Sequence, residues 1–227
     1  MRKGKIYWIF ILLASIKLTK VNGQDWANLS KFKNANIELN ALKTKNRIVF
    51  MGNSITEYWP KVSPSFFENN NFINRGISGQ TTPQMLIRFR QDVINLKPSA
   101  VVILAGINDI AQNTGPSSIQ MIKNNIISMI ELAKSNKIDV VLCSVLPAEK
   151  FPWYPKISPA QKVINLNREL KEYADINDII YVDYFSKMVN KTMGMKKELA
   201  KDGIHPNKSG YSIMEKILSK EIPKILK

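Results

Sequence analysis

The order in which two hydrophobic periods alternate along this chain restricts its fold more than any other feature. Four short apolar runs rich in β-branched residues read as buried strands: Arg47 to Met51, Ala100 to Ala105, Val140 to Leu146 and Ile179 to Tyr184. A weaker fifth run is Phe72 to Asn74. Between them the period lengthens to that of amphipathic helices. Gln84 to Leu96 carries apolar residues at Met85, Leu86, Phe89, Val93 and Leu96, and Ile119 to Ala133 repeats isoleucines at the same spacing. Val163 to Tyr173 and Ile213 to Ile222 carry similar stripes. Strands apolar on both faces need cover on both, and parallel strands need crossovers. Strand, helix, strand, helix therefore predicts an α/β fold with a parallel sheet covered on both faces. No internal repeat, low-complexity stretch or Gly/Ser linker divides residues 24–227, which read as one domain.

Residues 1–23 read as an address rather than as fold. Arg2, Lys3 and Lys5 precede an unbroken apolar run from Ile6 to Ala14, continued by Ser15 and Ile16. That run suits an export signal and is short of the ~20 residues that span a bilayer core. Val21-Asn22-Gly23 offers a cleavage site before Gln24, and an uncleaved amino-terminal anchor is the alternative. No Cys follows the run, so an acylated-Cys anchor is not expected. The expected location is periplasmic or extracellular, with no stable membrane insertion once the signal is removed.

Counting residues excludes several classes of chemistry. The chain holds a single Cys, Cys143, and a single His, His205. No intramolecular disulfide, thiolate zinc cluster or multi-histidine metal site can form, so neither a metal nor a cofactor is expected. The formal charge of +15 would attract nucleic acid if it were concentrated. Beyond the amino terminus the lysines are scattered singly along helical segments, as a solvated face requires, and nucleic acid is not an expected partner.

Reactive groups in such folds gather at the carboxyl ends of strands. Four segments there carry candidate chemistry. Gly52-Asn53-Ser54-Ile55-Thr56 follows the first strand and would expose a Ser hydroxyl at a strand-to-helix turn, or simply cap the helix. Arg75-Gly76-Ile77-Ser78-Gly79 has two glycines three apart, suited to close backbone approach or positive φ, and Gly79 could present its N–H to an anion. Gly106-Ile107-Asn108-Asp109 could aim the Asn108 amide into a cleft, or form an Asx turn. Asp202-Gly203-Ile204-His205 places a carboxylate three residues from the only imidazole, where it can hold one tautomer and leave Nε2 as a base. The alternative is a solvated loop with Ser209 capping the next helix.

Taken together the four segments say more than each alone. Acyl transfer needs a nucleophile, a base, a group orienting the base, and donors where an oxyanion develops. Each role is filled once.

The four segments, in this order, resemble the sequence blocks of the SGNH (GDSL-type) hydrolase family, from about Arg47 to the last helix. The resemblance implies a flavodoxin-like three-layer α/β/α sandwich with a parallel five-stranded sheet. It implies Ser54 as nucleophile, His205 as base and Asp202 as its orienter. The Ser54 and Gly79 amides and the Asn108 side chain would form the oxyanion hole. The family's activities are ester hydrolyses without a metal. Its first block usually has Asp before the Ser, where this chain has Asn53. That Asp is not the triad acid, so the change bears on local charge and hydrogen bonding beside Ser54.

The expected function is a serine esterase that cleaves short-chain carboxylic esters, acetyl groups on carbohydrates among them. A lysophospholipase or thioesterase, an acyltransferase at the same site, and a non-catalytic exported glycan-binding module are the alternatives. The loop from Pro147 to Pro159 follows a strand and contains Phe151, Trp153 and Tyr154. These rings could stack on a sugar or pack the loop down. The Glu57-Tyr58-Trp59 stretch, Pro83 and Met85 are further candidates for the pocket wall, with core packing favoured for Met85.

Overall fold

The computed structural model describes residues 25–42 and 46–224. The expected export signal, residues 1–23, lies outside the described residues. Strands β1 (Ile48–Gly52), β2 (Phe72–Gly76), β3 (Ala100–Leu104), β4 (Asp139–Cys143) and β5 (Ile180–Val182) form one all-parallel sheet in the order β2-β1-β3-β4-β5. This is the flavodoxin-like order, and its topological switch point lies between β1 and β3. Both of these strands are buried along their whole length, as their unbroken apolar runs require.

Among the described residues, nine α-helices frame the sheet: α1 (Lys33–Ala41), α2 (Ser54–Val62), α3 (Pro64–Glu68), α4 (Thr82–Asp92), α5 (Ile107–Ile110), α6 (Ile119–Ser135), α7 (Ala160–Ile176), α8 (Phe185–Met188) and α9 (Lys208–Leu218). In a parallel sheet of this order, the right-handed crossover rule sends the connections to opposite faces. Helices α4, α6 and α7 pack as a row with α1 against α4, while α2 packs with α3 and α9. Under α2 and α3 lies an aromatic cluster in which Trp59 stacks on Phe66 at 5.5 Å and meets Phe50 edge-on at 5.7 Å.

Several boundaries differ from those expected, each for a local reason. The apolar run through Leu146 outlasts β4 by three residues. Beyond Cys143, Val145 bonds in both directions to the side chain of Asn167 on α7 instead of to a strand, at 2.7 and 2.9 Å. Strand β2 continues through polar Asn74 and Arg75, because the Arg75 guanidinium finds a buried acceptor in Asn36. Helix α9 begins at Lys208, and its cap is Asn207, which accepts from the Ser209 and Gly210 amides; Ser209 is not the cap. Helix α1 was not expected, since it buries only Asn36 and has no apolar stripe.

Helix α2 contains Pro60, which has no N–H for the Thr56 carbonyl. The side-chain amide of Asn74 on β2 donates to that carbonyl at 2.5 Å. A helix turn that would be under-bonded is thereby tied to the neighbouring strand.

Candidate active site

The switch point between β1 and β3 opens a cleft of about 280 Å³ at the carboxyl ends of the strands. Its walls include Ser54, Gly79, Asn108 and His205, brought together from four separate segments, with the rings of Tyr58 and Trp153.

Ser54 is the first residue of α2, directly after Asn53. The Asn53 side-chain oxygen accepts from the Ile55 amide at 3.1 Å, so the turn is capped and the Ser hydroxyl is not consumed by capping. An Asp could accept the same bond; what Asn53 changes is the charge beside Ser54. Amides in the first turn of a helix lack intrahelical partners, and here that of Ile55 is taken by the Asn53 side chain.

The Ser54 hydroxyl lies 2.9 Å from His205 Nε2, and His205 Nδ1 lies 2.6 Å from Asp202 Oδ2. The other Asp202 oxygen accepts from the Ile204 and His205 amides at 3.0 and 2.8 Å. Burial would raise the Asp202 carboxyl, but the hydrogen bonds from the His205 ring and from these amides outweigh it and hold it below its usual range. The carboxylate is therefore charged at neutral pH and fixes the ring with Nδ1 protonated and Nε2 facing the Ser.

The two glycines of the second segment answer different demands. A Cβ on Gly76 would sit 2.2 Å from the Glu57 nitrogen, so β2 can approach α2 only because none is there. Gly79 has open space around it but a φ of 78°, a conformation that L side chains rarely adopt. The Gly79 loop is clasped by the turn that follows β3. Asn108 Nδ2 donates to the Gln80 carbonyl at 3.0 Å, and Asn113 Nδ2 donates to the Gly79 carbonyl at 3.0 Å. Asn108 thus makes no local Asx turn; one amide hydrogen is anchored across the cleft floor and the second remains for a ligand.

Asp109, beside Asn108, accepts from the Thr82 amide at 3.0 Å and from its hydroxyl at 2.6 Å, fixing the start of α4. Burial, opposed by these donors, pushes the Asp109 carboxyl up to about 6. Ser78 and Asn113 line the cleft and Asp109 lies behind it, and sequence reasoning gave none of the three a role. Asp109 and Asn113 follow Asn108 within five residues, and nothing in composition or periodicity separates any of the three from ordinary turn residues.

The aromatic loop divides. Phe151 is fully buried and packs against Trp153 at 5.4 Å, so it belongs to the core and cannot touch a ligand. Trp153 is half exposed and its ring centre lies 6.3 Å from that of His205, with Tyr58 at 6.0 Å from the same imidazole. Tyr154 is part-exposed and does not line this cleft. Met85 and Trp59 are buried in the core. Cys143 is buried and its thiol is pushed up to about 12 by burial, which leaves it no part as a competing nucleophile.

The model of the GDSL-like lipase/acylhydrolase family matches residues 50–213 of this chain. A candidate acylhydrolase from Bacteroides fragilis NCTC 9343 is 48% identical, with 90% of this chain and all of that one aligned at a TM-score of 0.86. A GDSL-like lipase from Bacteroides thetaiotaomicron VPI-5482 is also 48% identical, over 87% of this chain and 98% of its own, with a TM-score of 0.85. A curated relative, the uncharacterized lipoprotein YqeF of Bacillus subtilis (strain 168), is 34% identical over 82 residues. That match takes in 35% of this chain and 34% of the relative, so the chain spans about a third of the curated protein it matches.

Proposed function

Because the chain belongs to the GDSL-like lipase/acylhydrolase family and is a serine ester hydrolase, we propose that Ser54 forms an acyl-enzyme with small acyl groups, acetyl esters of carbohydrates being the natural class. Membership of an enzyme family sets aside the non-catalytic glycan-binding alternative.

In this reading His205 Nε2 takes the Ser54 proton as Oγ attacks the ester carbonyl. The Ser54 and Gly79 amides and the free Asn108 amide hydrogen receive the oxyanion. Collapse expels the alcohol, which takes the proton back from His205. Water then repeats the sequence on the acyl-enzyme, with His205 again as base, and regenerates Ser54. Asp202 stays ionised throughout and stabilises the transient imidazolium.

The observation that carries the reading is the Ser54–His205–Asp202 line of 2.9 and 2.6 Å opening into a cleft of about 280 Å³. A cleft of that size suits a short acyl chain. Trp153, half exposed beside His205, offers an aromatic face of the kind that sugar rings stack on. Aryl esters of graded chain length and acetylated sugars test the substrate class. The expected result is the highest kcat/KM for acetyl, and faster turnover of octanoyl esters would overturn it.

Export completes the proposal. The charged, apolar start of the sequence supports it, and the Bacillus relative is named a lipoprotein. Among the described residues no helix is long and apolar enough to cross a membrane.

A further inference from the structure

We propose that the amino-terminal strap, residues 25–41, positions the Gly79 loop for catalysis through two hydrogen-bonded relays that end on either side of Gly79. The inference rests on the serine-esterase reading above, and the strap lies ahead of the region matched to the family, which begins at residue 50.

The outer relay ends on Ser78. Lys31 Nζ pairs with Glu57 Oε1 at 2.5 Å, and Glu57 Oε2 accepts from the Ser78 amide at 2.7 Å and from the Ser78 hydroxyl. Burial would raise the Glu57 carboxyl, but Lys31 and Ser78 together hold it below its usual range, so it is a charged acceptor at neutral pH. Charge-assisted bonds of this kind are the strong ones. The Ser78 amide, one residue from Gly79, is therefore fixed by a carboxylate that the strap itself anchors.

The inner relay ends on Gln80. Its side-chain Nε2 donates to the Ala27 carbonyl of the strap at 2.7 Å, and its Oε1 accepts from Arg88 Nε at 2.6 Å. Arg88 is fully buried. Its remaining donors go to Asp92 at 3.0 Å and to the Gly52 carbonyl at 3.1 Å. Asn36 of the strap closes the circuit by donating to Asp92 at 2.7 Å and accepting from Arg75.

One guanidinium thus holds the carbonyl two residues before Ser54 and the side chain of Gln80, whose own carbonyl holds Asn108. The three oxyanion donors share this support. A buried charge with a missing partner is strongly destabilising, so a network of this kind persists only when every member is bonded. Its rigidity is inherited by the loop it holds. Glu57, Gln80, Arg88 and Asn36 are positioning residues, since none of them lines the cleft.

The test uses the full chain with Glu57→Ala, Glu57→Gln, Lys31→Met and Asn36→Leu, and the pair Lys31→Met with Glu57→Ala. Folding is followed by thermal melting, and steady-state kinetics by acetyl ester hydrolysis. The rate at which a serine-directed phosphonate labels Ser54 is measured in parallel. Small displacements of oxyanion donors have large effects, so Glu57→Ala and Asn36→Leu should lower kcat by roughly 10-fold or more. KM should stay within about twofold, because the ground state does not need the donors. Labelling should slow in proportion. Glu57→Gln, which keeps an acceptor oxygen for Ser78, should recover most of kcat. The double variant should match Glu57→Ala alone, because Lys31 acts through Glu57. Folded variants with wild-type kcat and labelling rates would overturn the inference, as would losses confined to KM. If the wild type itself takes no adduct on Ser54, the esterase reading fails first and this inference falls with it. Normal wild-type labelling with unaffected variants removes the strap's role alone.

Discussion

Tyr211 donates its phenol hydrogen to the main-chain carbonyl of Ile55 at 2.7 Å, joining the helix that follows His205 to the first turn of the helix that begins at Ser54. The two residues are far apart in the chain, and the bond is buried. A second bond, from Trp59 Nε1 to Glu215 at 2.9 Å, ties the same two helices together. Tyr211→Phe keeps the ring and removes the bond to Ile55. It should lower stability by about 1 kcal/mol and loosen the Ser54–His205 pair. Denaturant melts and kinetics check this together: a drop in kcat with KM steady is expected, and unchanged kcat in a destabilised variant would confine Tyr211 to structure.

Asn108→Ala removes one donor from the proposed oxyanion hole. A single preorganised donor contributes roughly 10²–10³ in kcat, so a loss of that size is expected where acylation is rate-limiting. The variant also loses the bond to the Gln80 carbonyl, so its melting temperature must be measured alongside. Wild-type kcat in this variant would remove Asn108 from the mechanism.

Asp109 makes stability depend on pH in a defined direction. Burial pushes its carboxyl up to about 6, above the ~3.9 of an unfolded Asp. Between those values the folded protein binds more protons than the unfolded chain. The contribution of Asp109 is therefore fully present below about pH 4 and is lost as pH rises through about 6. The size of the effect is on the order of 2–3 kcal/mol. Asp109→Asn cannot titrate, so the stability of wild type relative to this variant should fall as pH rises through that window. Urea midpoints for both proteins across it measure the difference, and a pH-independent difference would contradict the burial argument.

The parts of this molecule that were legible in the sequence are those written in burial. Strands β1 and β3 are covered on both faces, so their runs are unbroken, and the segments at their ends could be located without a structure. Ser54 and Asn108 follow these strands, Gly79 follows the weaker β2 and His205 lies in the final turn, and all four line one cleft. What escaped was held by polar atoms. Helix α1 buries one side chain, Asn36, whose reach to Asp92 and Arg75 leaves no periodic trace. The residues after Cys143 look like strand but are paired by the Asn167 side chain. Phe151 and Trp153 are two apart in one loop and equally apolar, yet one is core and the other borders the cleft. Only the path of the backbone separates them.

The central claim, that Ser54 is the acylated nucleophile, is tested most directly by intact-mass analysis after treatment with a serine-directed phosphonate, followed by peptide mapping. Ser78 also lines the cleft and provides an internal control. Wild type should gain the mass of one phosphonyl group, mapped to Ser54, and Ser54→Ala should gain none. A wild-type protein that hydrolyses esters while remaining unlabelled, or that carries the adduct on Ser78, would contradict the account.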